Sequence, residues 1–380
     1  MRIALDARNL YRPERRGIGK SLLELYRHLA LVRPNWEVLA YHRQSGKLEP
    51  LLPEGFATPR LIEIPGDRFD AWSHLRLPLA ARADRADVIH APANQGPLWM
   101  PLPTVVTVHD LIPMEGPAAD TAPGRRFTRG VRQACRRAAA ITCPSSYTRE
   151  QLVERLAADP ERVWVTPWGA GPSPNLSVHE LRGLVRRYGI RQPLVLHFGA
   201  SDPRKNTRRV LEAWAMLRHV VRRRWTLLVV GLDDAAKAEY ARCCERLGIE
   251  GSVVLRGYVP DADAAALLQL AEILAYPSLS EGFGMPLLEA FAADTAVLTS
   301  HGTSLPEVAG QAALRVDPAD WRSIQLGLSR LMSENLLRHH FIQRGKQRLA
   351  RFDWYRCAET FAQAVEAAAK LPPQTGRAAA

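Results

Sequence analysis

The stretch Ser278-Leu279-Ser280-Glu281-Gly282-Phe283-Gly284-Met285-Pro286-Leu287-Leu288-Glu289-Ala290 constrains this chain more than any other. It follows the apolar run Ile273-Leu274-Ala275-Tyr276, which reads as a buried strand. Pro286 suits the first turn of a helix, where its missing N–H costs nothing. The segment is therefore a strand, a glycine-containing loop and a helix. The start of such a helix offers free backbone N–H groups and a positive dipole end to an anion. Gly282 and Gly284 let a ligand approach backbone that a Cβ would shield. Glu281 falls on the loop and Glu289 in the helix, eight residues on. Two carboxylates beside a phosphate-binding helix start suit the hydroxyls of a sugar.

Strands and helices alternate on both sides of this segment. A length of 380 residues with 47% hydrophobic content suits two domains with separate cores. The expected division is an N-terminal Rossmann-like domain over 1–170, a linker and connecting helix over 171–190, and a second such domain over 191–350. A crossover helix is expected over 351–370, and a disordered tail over 371–380. A net charge of +12 points to anionic partners, and nucleic acid, acidic lipid and sugar nucleotide all qualify. No apolar run reaches membrane-spanning length. The chain passes at once into the polar-flanked strand Arg2-Ile3-Ala4-Leu5-Asp6, so neither a signal peptide nor an anchor is expected. Five scattered cysteines without C-x-x-C spacing indicate a reduced, cytoplasmic protein with no cysteine metal site.

After the first strand come a basic loop (Arg12, Arg15, Arg16) and Gly17-Ile18-Gly19-Lys20-Ser21, followed by a helix with Leu22, Leu25, Tyr26 and Leu29 at helical spacing. This is not a P-loop, because Glu14 stands where one needs glycine. Nor is it a dinucleotide fingerprint, because Leu22 takes the third glycine position. Thr104 to Val108 is a β-branched run typical of a buried parallel strand. His109 follows at its carboxyl end, where open α/β sheets bind ligands. Between Arg125 and Ala138, helical spacing places Arg125, Arg129, Arg132 and Arg136 on one face, with Phe127, Val131 and Ala134 opposite. That face fits an anionic membrane, an anionic acceptor or plain solvent.

Gly171-Pro172-Ser173-Pro174-Asn175 has linker composition. A second alternation begins at Leu194-Val195-Leu196-His197-Phe198. Its first loop carries Arg204 and Lys205 before a helix start, a good clamp for a diphosphate. Asp261-Ala262-Asp263 has D-x-D metal spacing, but it opens a helix, so capping and the helix dipole are the expected explanation.

Ser-Glu-Gly-Phe-Gly-Met-Pro-Leu-Leu-Glu-Ala, with its E-x7-E spacing, resembles the motif of the retaining glycosyltransferases of family 4. The resemblance is strong from Leu194 to Pro318 and loose before Leu102. It implies an α/β protein of the GT-B fold: two Rossmann-like domains facing a cleft, with the last helix crossing back to the first domain. It implies transfer of a hexose, mannose favoured, from a GDP- or UDP-sugar to a saccharide or lipid-linked acceptor, with no metal cofactor and no nucleic acid partner. By the same resemblance Arg204 and Lys205 neutralise the diphosphate, Glu281 and His109 hold sugar hydroxyls, and Glu289 accepts the ribose hydroxyls. Gly17 and Gly19 lie beside the donor phosphates, and Tyr258, Val259, Phe283, Gly284 and Met285 complete the donor site. Apart from the resemblance, the face of Arg125, Arg129, Arg132 and Arg136 is the candidate contact for the acceptor or the inner membrane surface, with a solvated face as the alternative. The sequence departs from the family at Ala200, where an arginine is common, and at Trp168, where asparagine is usual. Sugar-nucleotide epimerases, phosphorylases and non-catalytic partner subunits share the fold.

Overall fold

A computed structural model describes residues 1–12, 15, 17–43, 49, 51–64, 67, 70–171 and 176–372. The chain divides into two compact units, Met1–Gly169 with Asp353–Ala380, and Ala170–Phe352. Each is a wholly parallel sheet flanked by helices. Most of the expected 171–175 linker and of the terminal tail lies outside the described residues.

The first sheet contains β1 (Arg2–Asp6), β2 (Glu37–His42), β3 (Ala57–Leu61), β4 (Val88–Ala91), β5 (Thr104–Thr107), β6 (Ala140–Cys143) and β7 (Val163–Val165). They lie in the order β3-β2-β1-β4-β5-β6-β7. The central strands are buried on both faces, which is why they read as continuous apolar or β-branched runs. β3 was not foreseen. It is a largely exposed edge strand carrying Pro59, and such a strand has no buried face to pattern.

The second sheet contains β8 (Leu194–Phe198), β9 (Thr226–Val230), β10 (Val253–Leu255), β11 (Ile273–Tyr276), β12 (Ala296–Ser300) and β13 (Leu314–Val316), in the order β10-β9-β8-β11-β12-β13. Strand order reverses between β1 and β4 in the first sheet and between β8 and β11 in the second. Ligands of open α/β sheets bind beyond the carboxyl ends of strands at such a reversal.

The final helix, Trp354–Ala369, belongs to the first unit and packs along the helix Gly17–Val32. Phe361 is fully buried there beside Tyr26 and His90. At the rim Arg33 binds Glu359 at 3.0 Å and Glu366 at 2.8 Å.

Two expectations need correction. Gly17 and Gly19 do not form a glycine-rich loop, because the helix already begins at Gly17. Gly17 stands in open space, whereas a Cβ on Gly19 would come 2.5 Å from the carbonyl oxygen of Asn9. Gly19 therefore serves close packing. The D-x-D segment does not cap its helix either. That helix runs Asp261–Leu270 with Pro260 as N-cap, and Asp263 accepts hydrogen bonds from Tyr188 and Arg187 at 2.6 and 2.8 Å. Phe283 is buried, and its ring packs edge-on against Phe352.

Candidate active site

In the second unit, the loop after β8 folds into a short 3₁₀ turn, Pro203–Lys205, capped by the carboxylate of Asp202. Asn206 then adopts a left-handed conformation, φ 62°. Its buried side-chain amide donates to the carbonyls of Pro277 and Pro318 at 2.9 and 2.7 Å. One amide thus ties together loops that follow β8, β11 and β13, and it fixes Lys205 beside the loop after β11. Asparagine tolerates this backbone better than most residues, which is the signal that could have singled it out.

The loop after β11 carries Glu281. The hydroxyl of Ser304 donates to the carbonyls of Glu281 and Phe283, at 2.8 and 3.0 Å. Gly284 has φ 103°, and a Cβ there would meet Leu305 at 2.5 Å, so only glycine fits. The helix Met285–Ala292 starts immediately, with Met285 half-buried at its first position and Glu289 half-buried further along.

These two loops flank the strand reversal of the second sheet, and they bring three candidate residues into contact. Lys205 Nζ lies 2.7 Å from Glu281 Oε1. Arg204 Nη1 lies 2.9 Å from Glu281 Oε2, and its Nε lies 2.7 Å from Asp202. Burial opposes the charge on Glu281, but Lys205 and Arg204 outweigh it and hold the carboxyl below its ordinary range. Burial also pulls the pKa of Lys205 down, with the charge of Glu281 pushing the other way.

Counting donors shows what the cluster has left to offer. Lys205 Nζ spends two of its three N–H groups, on Tyr276 and Glu281. Arg204 spends Nε on Asp202 and Nη1 on Ser280 and Glu281, and among the described residues Nη2 has no partner. Three N–H donors therefore remain, two of them in the planar fork that suits phosphate oxygens. On Glu281, Oε1 receives two donors and Oε2 one, which leaves room for one hydroxyl.

Tyr258 and Val259 follow β10. Tyr258 is 56% exposed and open to stack on a ligand, while the side chain of Val259 is buried and leaves only its backbone.

In the first unit His109 is buried beyond β5. Its Nε2 donates to the carbonyl of Pro92 at 2.6 Å, which leaves Nδ1 as the acceptor, buried and without a partner among the described residues. Asn94 Oδ1 accepts from its backbone N–H at 2.6 Å. Burial lowers the His109 pKa to about 4, so the ring is neutral at pH 7 and accepts a hydrogen bond instead of supplying a proton. Trp168 leans on it, ring centroids 5.5 Å apart. The helix Ala122–Arg137 exposes Arg125, Arg129, Arg132 and Arg136, opposite the buried Val131, Ala134 and Cys135. Among the described residues, no group of three or more histidine, cysteine or acidic side chains is placed to hold a metal.

Two parallel Rossmann-like units, with a cation–carboxylate cluster at the strand reversal of the second, define a glycosyltransferase of the GT-B fold. The chain superposes on the crystal structure of Anabaena HepE in complex with UDP-glucose with a TM-score of 0.75, covering 96% of this chain and 99% of that one at 16% identity. The family model for glycosyl transferases group 1 matches residues 186–348, and that for glycosyltransferase family 4 matches residues 15–173. The chain belongs to glycosyltransferase family 4. It is 28% identical to O-antigen chain mannosyltransferase B of Escherichia coli over 370 residues, 90% of this chain and 93% of that one. It is also 28% identical to the MMP alpha-(1->4)-mannosyltransferase of Mycolicibacterium hassiacum over 335 residues, 82% and 76% of the respective chains.

Proposed function

We propose that this glycosyltransferase moves a mannosyl residue from GDP-mannose to a saccharide or lipid-linked acceptor in cell-surface polysaccharide synthesis, retaining the anomeric configuration. The observation that carries the reading is the donor count at Lys205 and Arg204: three N–H groups without a partner among the described residues, beside a carboxylate with one acceptor position open. Mannose is favoured because the relatives that align along most of the chain are named mannosyltransferases.

The bond from the anomeric carbon to the diphosphate oxygen breaks as charge builds on the departing GDP. Lys205 and Arg204 stabilise that charge, a task a metal performs in other transferases, and the reaction therefore needs no metal. Glu281 holds sugar hydroxyls and Glu289 takes the ribose, while in the first unit Nδ1 of His109 accepts from a hydroxyl. The acceptor hydroxyl attacks from the face the diphosphate leaves, and its proton passes to the departing phosphate oxygen.

The exposed arginines of the helix Ala122–Arg137 favour a second element of the reading, peripheral contact with an anionic inner membrane surface from the cytoplasm.

The test is to incubate the protein with a saccharide acceptor and GDP-mannose, UDP-glucose or UDP-galactose, with and without EDTA, and follow nucleoside diphosphate release and the product sugar. Release of GDP from GDP-mannose with an α-linked product is expected. A sugar nucleotide that is merely epimerised, or activity abolished by EDTA and restored by manganese, overturns the reading.

A further inference from the structure

Tyr276 is the last residue of β11, a place where the apolar pattern predicts only core. Its backbone is fixed by pairing with Thr299, whose hydroxyl donates to the Tyr276 carbonyl at 3.1 Å. The side chain is 1% exposed. Yet its hydroxyl lies 2.6 Å from Lys205 Nζ and 2.7 Å from Glu281 Oε1. With the 2.7 Å bond between Lys205 and Glu281, the three groups close a hydrogen-bonded triangle.

The direction of each bond follows from what each group can do. An ammonium only donates and an ionised carboxylate only accepts. Tyr276 therefore accepts from Lys205 and donates to Glu281. The Ser278 side chain also hydrogen-bonds to it, so the hydroxyl has no capacity to spare. The ammonium also lies 4.9 Å from the centroid of the Tyr276 ring, which restricts it from a second side. Lysine is a long, flexible side chain, and without such a restraint its ammonium would swing about Glu281. The triangle takes two of its N–H groups and leaves the third in one direction.

We propose that Tyr276 is a positioning residue for the transfer reaction: its hydroxyl locks the Lys205 ammonium against Glu281 so that the remaining N–H meets the diphosphate. The inference rests on the reading of Lys205 as the diphosphate cation. Tyr276 touches neither substrate nor reacting atoms and acts through Lys205. A restraint of this kind matters where charge develops, so its loss is read in turnover more than in donor affinity.

The variant that tests it is Tyr276→Phe, which keeps the ring and removes only the hydroxyl. Turnover is expected to fall by roughly tenfold with the donor KM held within about threefold, the pattern of an interaction that acts in the transition state. In a Lys205→Ala background the same change should add nothing, because the group being positioned is gone. Turnover within twofold of wild type, or losses that multiply in the double variant, would overturn the role. Should the wild type bind neither GDP nor UDP in a calorimetric titration, both this role and the transferase reading fall. A wild type that binds and turns over, beside an unimpaired variant, removes this role alone. If Tyr276→Phe does not fold, wild type labelled with ¹⁵N-lysine supplies the answer. The Lys205 ammonium signal, assigned with Lys205→Arg, is expected to shift on titration with GDP, and an unmoved signal overturns the assignment.

Discussion

Lys205 Nζ stands 2.7 Å from Glu281 Oε1, so a candidate diphosphate cation and a candidate sugar-binding carboxylate neutralise each other. The pairing explains how charges so deeply buried are tolerated. Removing one partner of a buried pair costs about 3–5 kcal/mol when the other is left uncompensated. The two partners differ in this respect. Glu281 keeps Arg204 if Lys205 is lost, but loss of Glu281 leaves two cations facing each other. Glu281→Ala should therefore unfold at lower denaturant than Lys205→Ala.

If Lys205 offsets charge on the departing diphosphate, Lys205→Ala should lower turnover by roughly two to four orders of magnitude, as loss of an oxyanion donor does. Steady-state rates with GDP-mannose check this. A variant that keeps a third of wild-type turnover would remove Lys205 from the chemistry.

The pH dependence of turnover follows from the environment of Lys205. Burial holds its pKa below 10.5, so its charge and the activity should be lost on the alkaline side before that point. The charge of Glu281 opposes this shift. Glu281→Gln should therefore move the alkaline limb to lower pH. A limb that stays put in the variant would mean that another group titrates there.

Three buried histidines govern acid stability. Burial lowers the pKa of His90 to about 3 and those of His109 and His197 to about 4, against 6.5 when unfolded. Below pH 6.5 the unfolded chain takes up protons that the folded chain refuses, so stability falls as pH drops towards 4. Each histidine contributes about 1.4 kcal/mol per pH unit in that window. Denaturant titrations at pH 7 and pH 5 should differ by several kcal/mol on this arithmetic, and His197→Gln should remove about a third of the difference. Equal midpoints at the two pH values would contradict the burial of these rings.

Membrane contact rests on four exposed arginines. Each basic residue near an anionic surface contributes about 1 kcal/mol, screened over roughly 8–10 Å at moderate salt. Sedimentation with phosphatidylserine vesicles should fall steeply as salt rises. Replacing Arg125, Arg129, Arg132 and Arg136 by glutamine should abolish it while nucleotide affinity is kept. A quadruple variant that sediments like wild type would make the helix an ordinary solvated face.

Both sheets were legible because their strands are buried on two faces and spell out continuous apolar runs. The loop bearing Glu281 was legible because glycine, proline and two glutamates sit at fixed offsets along a single stretch. What escaped was contact between distant residues. Nothing in the sequence links Asn206 to Pro318, or Tyr276 to Lys205, until the sheet order sets β8 beside β11. The chain of hydrogen bonds from Tyr26 through His90 and Thr107 to Thr142 was hidden for the same reason, since each member comes from a different element. The edge strand β3 and the π-helix Trp72–Arg76 follow neither a period of two nor one of 3.6.

The helix Trp354–Ala369 completes the first unit from beyond the second in sequence, and this sets an order on biosynthesis. The ribosome delivers Met1–Gly169 before the second unit, but the helix carrying Phe361, the buried neighbour of Tyr26, is made only after that unit. At about 5–20 residues per second, the whole second unit takes on the order of tens of seconds to emerge. Throughout that interval the nascent first unit shows an uncovered apolar groove, while the second unit, contiguous in sequence, is free to finish folding ahead of it. Of the two units, the one begun first is therefore the one that matures last.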